Sequence, residues 1–488
     1  MKNFKELILA TNLLLFTLTL NSQYLVSATE LSSLSAPLVE AYLNSHGWDT
    51  SPMTINGVTS YKIIYNTTDV HGDPTVASGA LYVPQLCDTM PLVSYQHGTE
   101  FHKAHVPSNN YVRDRGLLYS GNGFITTMPD YLGMGVNPGI HPYVHWESEA
   151  TASIDLIRAA REYLMDELHI RDNNQLFLTG YSQGGHSTMA IHKYITVNNL
   201  QSEFNVVASA PMSGAFPLYD VQMPGIFNED STYCCLYYLA YAFASYQLVY
   251  GNLYENYNEY YDPPYDTQIP IYLSGNYTNA QWAALMPNNY YDLMQDSVIH
   301  NIKNNPNHPV NIDLRENDLH NWIPDEPVRM LYCGSDPVVF PENSIMAQDT
   351  MNALGATDVQ AIEMDPYGNH STCVVPAFTY ALEWFDSLKV QCLMVGLSVP
   401  SVKKQPGISL YPNPFSTSTT IEYVLAESRN VDITIFNHLG QQVERIEQGN
   451  SQLGKQQFVW DASAMPAGIY FVQVKAGNEV TTRKMIKQ

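Results

Sequence analysis

Phe177-Leu-Thr-Gly-Tyr-Ser-Gln-Gly-Gly-His-Ser-Thr188 decides how the chain reads. The apolar run Gln175–Leu178 leads into Gly180-Tyr-Ser182-Gln-Gly184, and a helical pattern follows. A strand, a tight turn and a helix around G-x-S-x-G form a nucleophile elbow, which lifts the serine hydroxyl above a sheet. Gly180 and Gly184 leave room where side chains would clash. The helix N-terminus favours negative charge developing near Ser182.

A serine needs a base within reach and a carboxylate that orients the base. In an elbow of this type the chain order is Ser, then Asp or Glu, then His. Leu331-Tyr-Cys-Gly-Ser-Asp336 is an apolar strand ending in a turn acid. Pro366-Tyr-Gly-Asn-His370 follows the strand pattern Val359–Glu363 and precedes a helix. Both lie at the C-terminal ends of strands, where open α/β sheets gather their sites. The spacing therefore predicts Ser182 as nucleophile, Asp336 as acid and His370 as base, with Asp325 and Asp365 as reserve acids. The backbone N–H groups of Gln183 and Thr99 are the expected oxyanion donors, with Glu100 as alternate to Thr99.

Around these motifs, strand-like runs alternate with helical stretches from about Tyr61 to Leu388. The strand candidates are Tyr61–Asn66, Ser78–Val83, Leu92–Gln96, Phe124–Met128, Gln175–Thr179, Val206–Ala210, Arg329–Cys333 and Val359–Glu363. The helical candidates are Glu149–Leu168, His186–Val197 and Val375–Leu388. Such alternation predicts an α/β fold with a mainly parallel sheet and helices on both faces. An insertion at about 219–327 interrupts it and holds fifteen of the 35 tyrosines between Tyr233 and Tyr291. It reads as a helical cap whose tyrosines pack on one another, meet a substrate, or do both.

The ends differ in character. Lys2 and Lys5, the apolar run Leu7–Leu20 and Val26-Ser27-Ala28 predict a signal peptide over residues 1–28, with cleavage before Gln23 as an alternative. The apolar run is short for a membrane span, and no stable membrane insertion is expected. Residues 29–395 form the α/β domain and 396–405 a linker. Residues 406–488 show short alternating strands, a β-sandwich pattern.

The 488 residues carry a net charge of -24, which argues against nucleic acid as a partner. The charge is confined to the first part: from Pro406 onward seven basic residues balance seven acidic ones. Export permits disulfides. Six cysteines allow fifteen pairings. Cys333 lies three residues before Asp336 and Cys373 three after His370, so convergence of the acid and base would bring these two together. His97, His102 and His105 cluster around Glu100 without a metal-binding helix spacing, and no metal or nucleotide cofactor is expected.

At His97-Gly-Thr99, Met128-Pro-Asp-Tyr-Leu-Gly133 and Gly180-Tyr-Ser-Gln-Gly-Gly185, residues 60 to 390 resemble the α/β-hydrolase superfamily, in its secretory lipase and esterase branch. The resemblance implies an ester substrate, a helical cap at the Tyr219–Pro327 insertion, and Asp130 holding a loop near the site. The tyrosine-rich cap departs from the aliphatic lids of true lipases. Leu410-Tyr-Pro-Asn-Pro-Phe415, Gly440, Pro466-Ala-Gly-Ile-Tyr-Phe-Val-Gln-Val474 and Arg483-Lys-Met-Ile-Lys-Gln488 resemble the sorting domain of the type IX secretion system. That implies outer-membrane transport by this machinery to the medium or cell surface. A carbohydrate-binding sandwich is the rival for this region. For the whole chain, the rivals are a prolyl-oligopeptidase-type peptidase and a non-catalytic binding protein on a hydrolase scaffold. The peptidase normally has a propeller or a long N-terminal domain, and only 30 to 60 residues precede the sheet here.

Overall fold

The computed structural model describes residues 24–51, 53–228, 233–390, 392, 408–425, 428–437, 440–451, 454–476 and 479–488. Residues 1–23 of the expected 1–28 signal peptide and the whole expected 396–405 linker lie outside these. The chain divides into two compact units, Met1–Leu393 and Met394–Gln488.

The first unit is built on nine strands: β1 Leu25–Leu34, β2 Val58–Thr68, β3 Pro74–Pro84, β4 Thr89–Gln96, β5 Ile125–Pro129, β6 Arg171–Tyr181, β7 Val206–Met212, β8 Val328–Cys333 and β9 Val359–Asp365. Their order in the sheet is β1-β2-β3-β5-β4-β6-β7-β8-β9. From β5 to β9 all neighbours are parallel, whereas β1, β2 and β3 are antiparallel to theirs. The central strands are buried on both faces, as parallel strands between helical layers must be.

Among the described residues, twelve α-helices accompany the sheet. They are α1 Ala36–Ser45, α2 Arg113–Gly121, α3 Trp146–Tyr163, α4 Gln183–Val197, α5 Met223–Ile226, α6 Leu236–Tyr250, α7 Tyr265–Tyr272, α8 Asn279–Leu285, α9 Asp296–Asn304, α10 Pro309–Glu316, α11 Glu342–Leu354 and α12 Val374–Leu388. One apolar core packs α3 and α4 on one face through Ile154, Ile157, Met189 and Ile191. A second packs α2 and α12 on the other through Leu117, Phe378 and Phe385. Helices α5 to α10 form the cap between β7 and β8, with an aromatic core of its own around Trp282, Tyr246 and Tyr261.

Strand β1 departs from the sequence reading. Leu25–Ala28, assigned above to the signal segment, pair with β2 at the sheet edge. The N–H groups of Tyr24 and Leu25 donate to the two carboxylate oxygens of Glu162 at 2.9 and 2.8 Å. Small residues before a cleavage point also suit an exposed edge strand, so that pattern does not separate the two.

The second unit has two antiparallel sheets, β10-β11-β14 and β13-β12-β15-β16. Their strands are β10 Ile408–Tyr411, β11 Ser418–Leu425, β12 Arg429–Asn437, β13 Gln442–Ser451, β14 Gly454–Asp461, β15 Gly468–Ala476 and β16 Glu479–Lys487. Inward residues such as Ile421, Ile433, Trp460 and Val472 alternate with exposed ones and make a separate core.

If a signal peptide is removed, the pairing of β1 and its hold by Glu162 predict cleavage upstream of Tyr24. N-terminal sequencing of the exported protein is expected to begin at or before that residue; a start at Thr29 would contradict the role given to Glu162.

Candidate active site

Ser182 sits between β6 and α4 with φ 63° and ψ -122°, a strained conformation for a residue with a Cβ. Its N–H donates to the Met212 carbonyl at 2.9 Å, which ties the turn to β7. The turn packs tightly against the end of β4. A Cβ on Gly184 would lie 2.0 Å from the Gln96 carbonyl oxygen, and one on Gly180 would lie 2.5 Å from the same atom. Helix α4 starts at Gln183, directly after the serine, earlier than its apolar pattern indicated.

Three of the residues singled out in the sequence converge. His370 Nε2 is 3.0 Å from Ser182 Oγ, and His370 Nδ1 is 2.7 Å from Asp336 Oδ2. Asp336 is buried, and its Oδ1 accepts the N–H groups of Val338 and Val339 at 2.9 and 3.0 Å. Tyr181 Oη donates to the His370 carbonyl at 2.6 Å, holding the histidine loop against the elbow. Cys333 and Cys373 are joined by a disulfide, which links the acid and base loops. The other cysteines pair as Cys87–Cys392 and Cys234–Cys235. Asp325 and Asp365 do not contact His370: Asp325 meets Gln201, and Asp365 accepts the Tyr367 N–H.

Gly98 lies against the elbow, its Cβ position 3.8 Å from Ser182 Cβ, and Thr99 follows it. The N–H groups of Gln183 and Thr99 make no hydrogen bond among the described residues. Thr99 is pinned from the cap. The Asn279 amide donates to the Thr99 carbonyl at 2.9 Å, and its Oδ1 accepts the Phe101 N–H at 3.3 Å. His97 is buried against the Gly98 and Asp130 carbonyls, so it has no path to Ser182 as a base. Asp130 accepts from Ser78 Oγ and the Ser108 N–H, joining β3 to the loop before α2. His102 and His105 stack on each other near Glu100.

A buried polar cluster beneath the elbow went unread in the sequence. Glu149 Oε2 is 2.8 Å from His186 Nδ1, and Glu149 Oε1 accepts from the Gln183 amide at 2.8 Å. Burial raises the Glu149 carboxyl. The His186 charge and hydrogen bonds from His186, Gln183 and Ser187 outweigh that and leave it below the usual glutamate range. Burial brings His141 down to about 4. Neutral His141 donates from Nδ1 to the Leu132 carbonyl and accepts the Gln183 amide at Nε2. The Gln183 side chain is thereby clamped, which fixes the first turn of α4. No local sequence pattern points to this cluster, because its members come from three separate segments.

Beside Ser182 a cavity of about 70 Å³ runs under the cap, lined by Tyr143, Leu218, Met223, Ile226, Leu239 and Phe243 among others. One water needs about 10–15 Å³ of such space, so it holds roughly five water-sized groups.

The strand order, the elbow and the cap between β7 and β8 give the first unit the α/β-hydrolase fold. The second unit is a type IX secretion sorting domain, which directs the chain to the cell surface or the medium: residues 409–488 match the family described as secretion system C-terminal sorting domain. Among solved structures, the chain is similar to a candidate hydrolase of Legionella pneumophila, at 27% identity and a TM-score of 0.69, covering 75% of this chain and 98% of that one. It is also similar to the rice cell wall degrading esterase LipA of Xanthomonas oryzae, at 27% identity and a TM-score of 0.66, covering 75% and 96%. Candida antarctica lipase A in its closed state shares the fold at 14% identity and a TM-score of 0.57, covering 76% and 84%. No curated protein matches the sequence. The chain is a secreted, esterase-like hydrolase.

Two outcomes follow from the packing. Gly184→Ala is expected to destabilise the first unit by at least about 3 kcal/mol, because backbone rather than a movable side chain blocks the new methyl; chemical denaturation measures it. Burial raises the Glu100 carboxyl to about 7. A carboxyl raised on folding favours the protonated state, so this contribution is full below about pH 4.5 and is lost as pH rises through about 7. Glu100→Gln is expected to remove that slope and to stabilise the protein at pH 8 by up to about 3 kcal/mol, read from melting curves at pH 5 and pH 8.

Proposed function

We propose that the protein hydrolyses carboxylic esters through an acyl-enzyme formed on Ser182. The observation that carries this reading is the continuous chain Ser182 Oγ, His370 and Asp336, with contacts of 3.0 and 2.7 Å, opening on an apolar cavity. His370 Nε2 takes the hydroxyl proton as Oγ attacks the ester carbonyl. Asp336 holds Nδ1–H and stabilises the imidazolium. The free N–H groups of Gln183 and Thr99 receive the oxyanion, where each such donor contributes about 3 kcal/mol. Protonated His370 then releases the alcohol. A water activated by the same nitrogen attacks the acyl carbonyl and frees the acid.

The cavity's size and apolar lining suit a short acyl chain. A long chain would require the cap to move aside. The esterase activity of the Xanthomonas oryzae neighbour agrees with this chemistry.

Ser182→Ala is expected to lower kcat on nitrophenyl esters by about 10⁴-fold or more while the fold is retained. Asp336→Asn is expected to lose a comparable factor. Across a nitrophenyl ester series, kcat/KM should peak at butyrate to hexanoate and fall towards palmitate. Activity unchanged in Ser182→Ala, or loss of labelling by a fluorophosphonate in the wild type, would remove this reading.

A further inference from the structure

Away from Ser182, a second cluster forms where the cap leaves and rejoins the core. Asp220 lies in the turn Leu218–Gln222 that begins the cap. Asp318 and His320 follow α10, on the stretch that returns to β8. Each of the three offers a ligand atom within 4.8 Å of the others.

Asp318 and His320 are almost fully buried, at 3% and 8% exposure, while Asp220 is open to solvent. The His320 imidazole has no hydrogen-bond partner at Nδ1. Its Nε2 stands 3.9 Å from Asp220 Oδ2, too far for a hydrogen bond. The two ring nitrogens differ in setting: Nδ1 is buried without a partner, and Nε2 faces the Asp220 carboxylate without bonding to it, so the imidazole's bonding capacity is unused beside two carboxylates. Asp318 Oδ1 accepts the Tyr219 N–H at 3.2 Å. Lys193 donates to the Asp318 backbone carbonyl rather than to the carboxylate, and its ammonium lies over the Trp146 ring. That charge opposes a cation at the cluster without occupying it.

We propose that Asp220, Asp318 and His320 bind a divalent transition-metal ion of the zinc class, with water completing the shell. One imidazole and two carboxylates form a mixed N/O set, and imidazole selects zinc-like ions over calcium and magnesium. Ligand atoms around zinc stand roughly 3.3 Å apart, given bonds of about 2.0–2.2 Å. The three ligand atoms, now within 4.8 Å of one another, must draw together by up to about 1.5 Å when the ion binds.

The position gives the ion a task. The Leu319 N–H donates to the Phe216 carbonyl at 2.8 Å, so the two cap stems already touch. Leu218 and Gln222, in the same turn as Asp220, line the cavity beside Ser182. A bound ion clamps both stems and fixes the wall of that cavity.

The test uses the full exported chain, stripped with a chelator and titrated with zinc chloride by calorimetry at pH 7.5. One equivalent is expected to bind, and zinc is expected to raise the melting temperature by several degrees. Asp220→Asn and His320→Gln should each weaken binding at least tenfold and abolish the thermal shift. Asp220 is exposed, so its variant keeps the fold if the buried histidine variant does not. His102→Gln should bind as the wild type does. No heat from the wild type, binding undiminished in Asp220→Asn, or calcium binding as tightly as zinc would each overturn the assignment. These readouts are independent of any reaction at Ser182.

Discussion

The backbone contact between the elbow and the end of β4 governs the first unit. Gly184 and Gly180 lie so close to the Gln96 carbonyl that no Cβ fits at either position. That approach forces Ser182 into its positive φ and sets Gly98 and Thr99 beside it. Strain of this kind persists only where the surroundings over-determine it. Here they do: Met212 fixes the Ser182 N–H, and the Glu149–Gln183–His141 cluster fixes the first turn of α4. The polar cluster thus stands behind the position of a backbone N–H, although none of its side chains need touch a substrate.

The sequence made the local part of this arrangement legible. G-x-S-x-G is a contiguous motif whose meaning depends on a strand before it and a helix after it. Asp336 and His370 could be read because each follows a short apolar strand and carries a turn signature. The disulfide Cys333–Cys373 came within reach by the same reasoning. What stayed hidden depends on burial between distant segments. Glu149 and His186 are separated by 37 positions, and nothing in either local pattern says that they face each other. Strand β1 was hidden for another reason: its residues serve equally as a cleavage region and as an exposed edge, and only the Glu162 carboxylate distinguishes the two. In the second unit, β10 is four residues long and β13 largely polar, so neither carried the apolar alternation that revealed its neighbours.

The tyrosines of the cap resolve into two populations. Tyr246, Tyr254, Tyr260 and Tyr261 are buried in the cap's own core, where rings pack edge-to-face and tilted. Tyr233 and Tyr238 instead face the cavity beside Ser182, which Tyr143 of the loop before α3 also lines. Aromatic rings give a small subdomain much apolar area with few rotatable bonds, which suits a cap that must keep one shape. Packing within the cap and lining of the cavity thus fall to different tyrosines of one element.

Cap and catalytic rim are not independent. Asn279, at the start of α8, spans the Thr99 carbonyl and the Phe101 N–H as a neighbouring strand would. Thr99 Oγ1 in turn donates to Tyr143 Oη on the cavity wall. If the cap swings away, the two Asn279 contacts break, and the loop after β4 keeps only its Tyr143 contact. On the function proposed above, a closed cap would both cover the cavity and hold the Thr99 N–H in place as an oxyanion donor. On that reading, substrates that fit beneath the closed cap would meet an ordered loop after β4, whereas those that hold it open would meet one without its Asn279 contacts. Size selection at such a site acts on kcat as well as on KM.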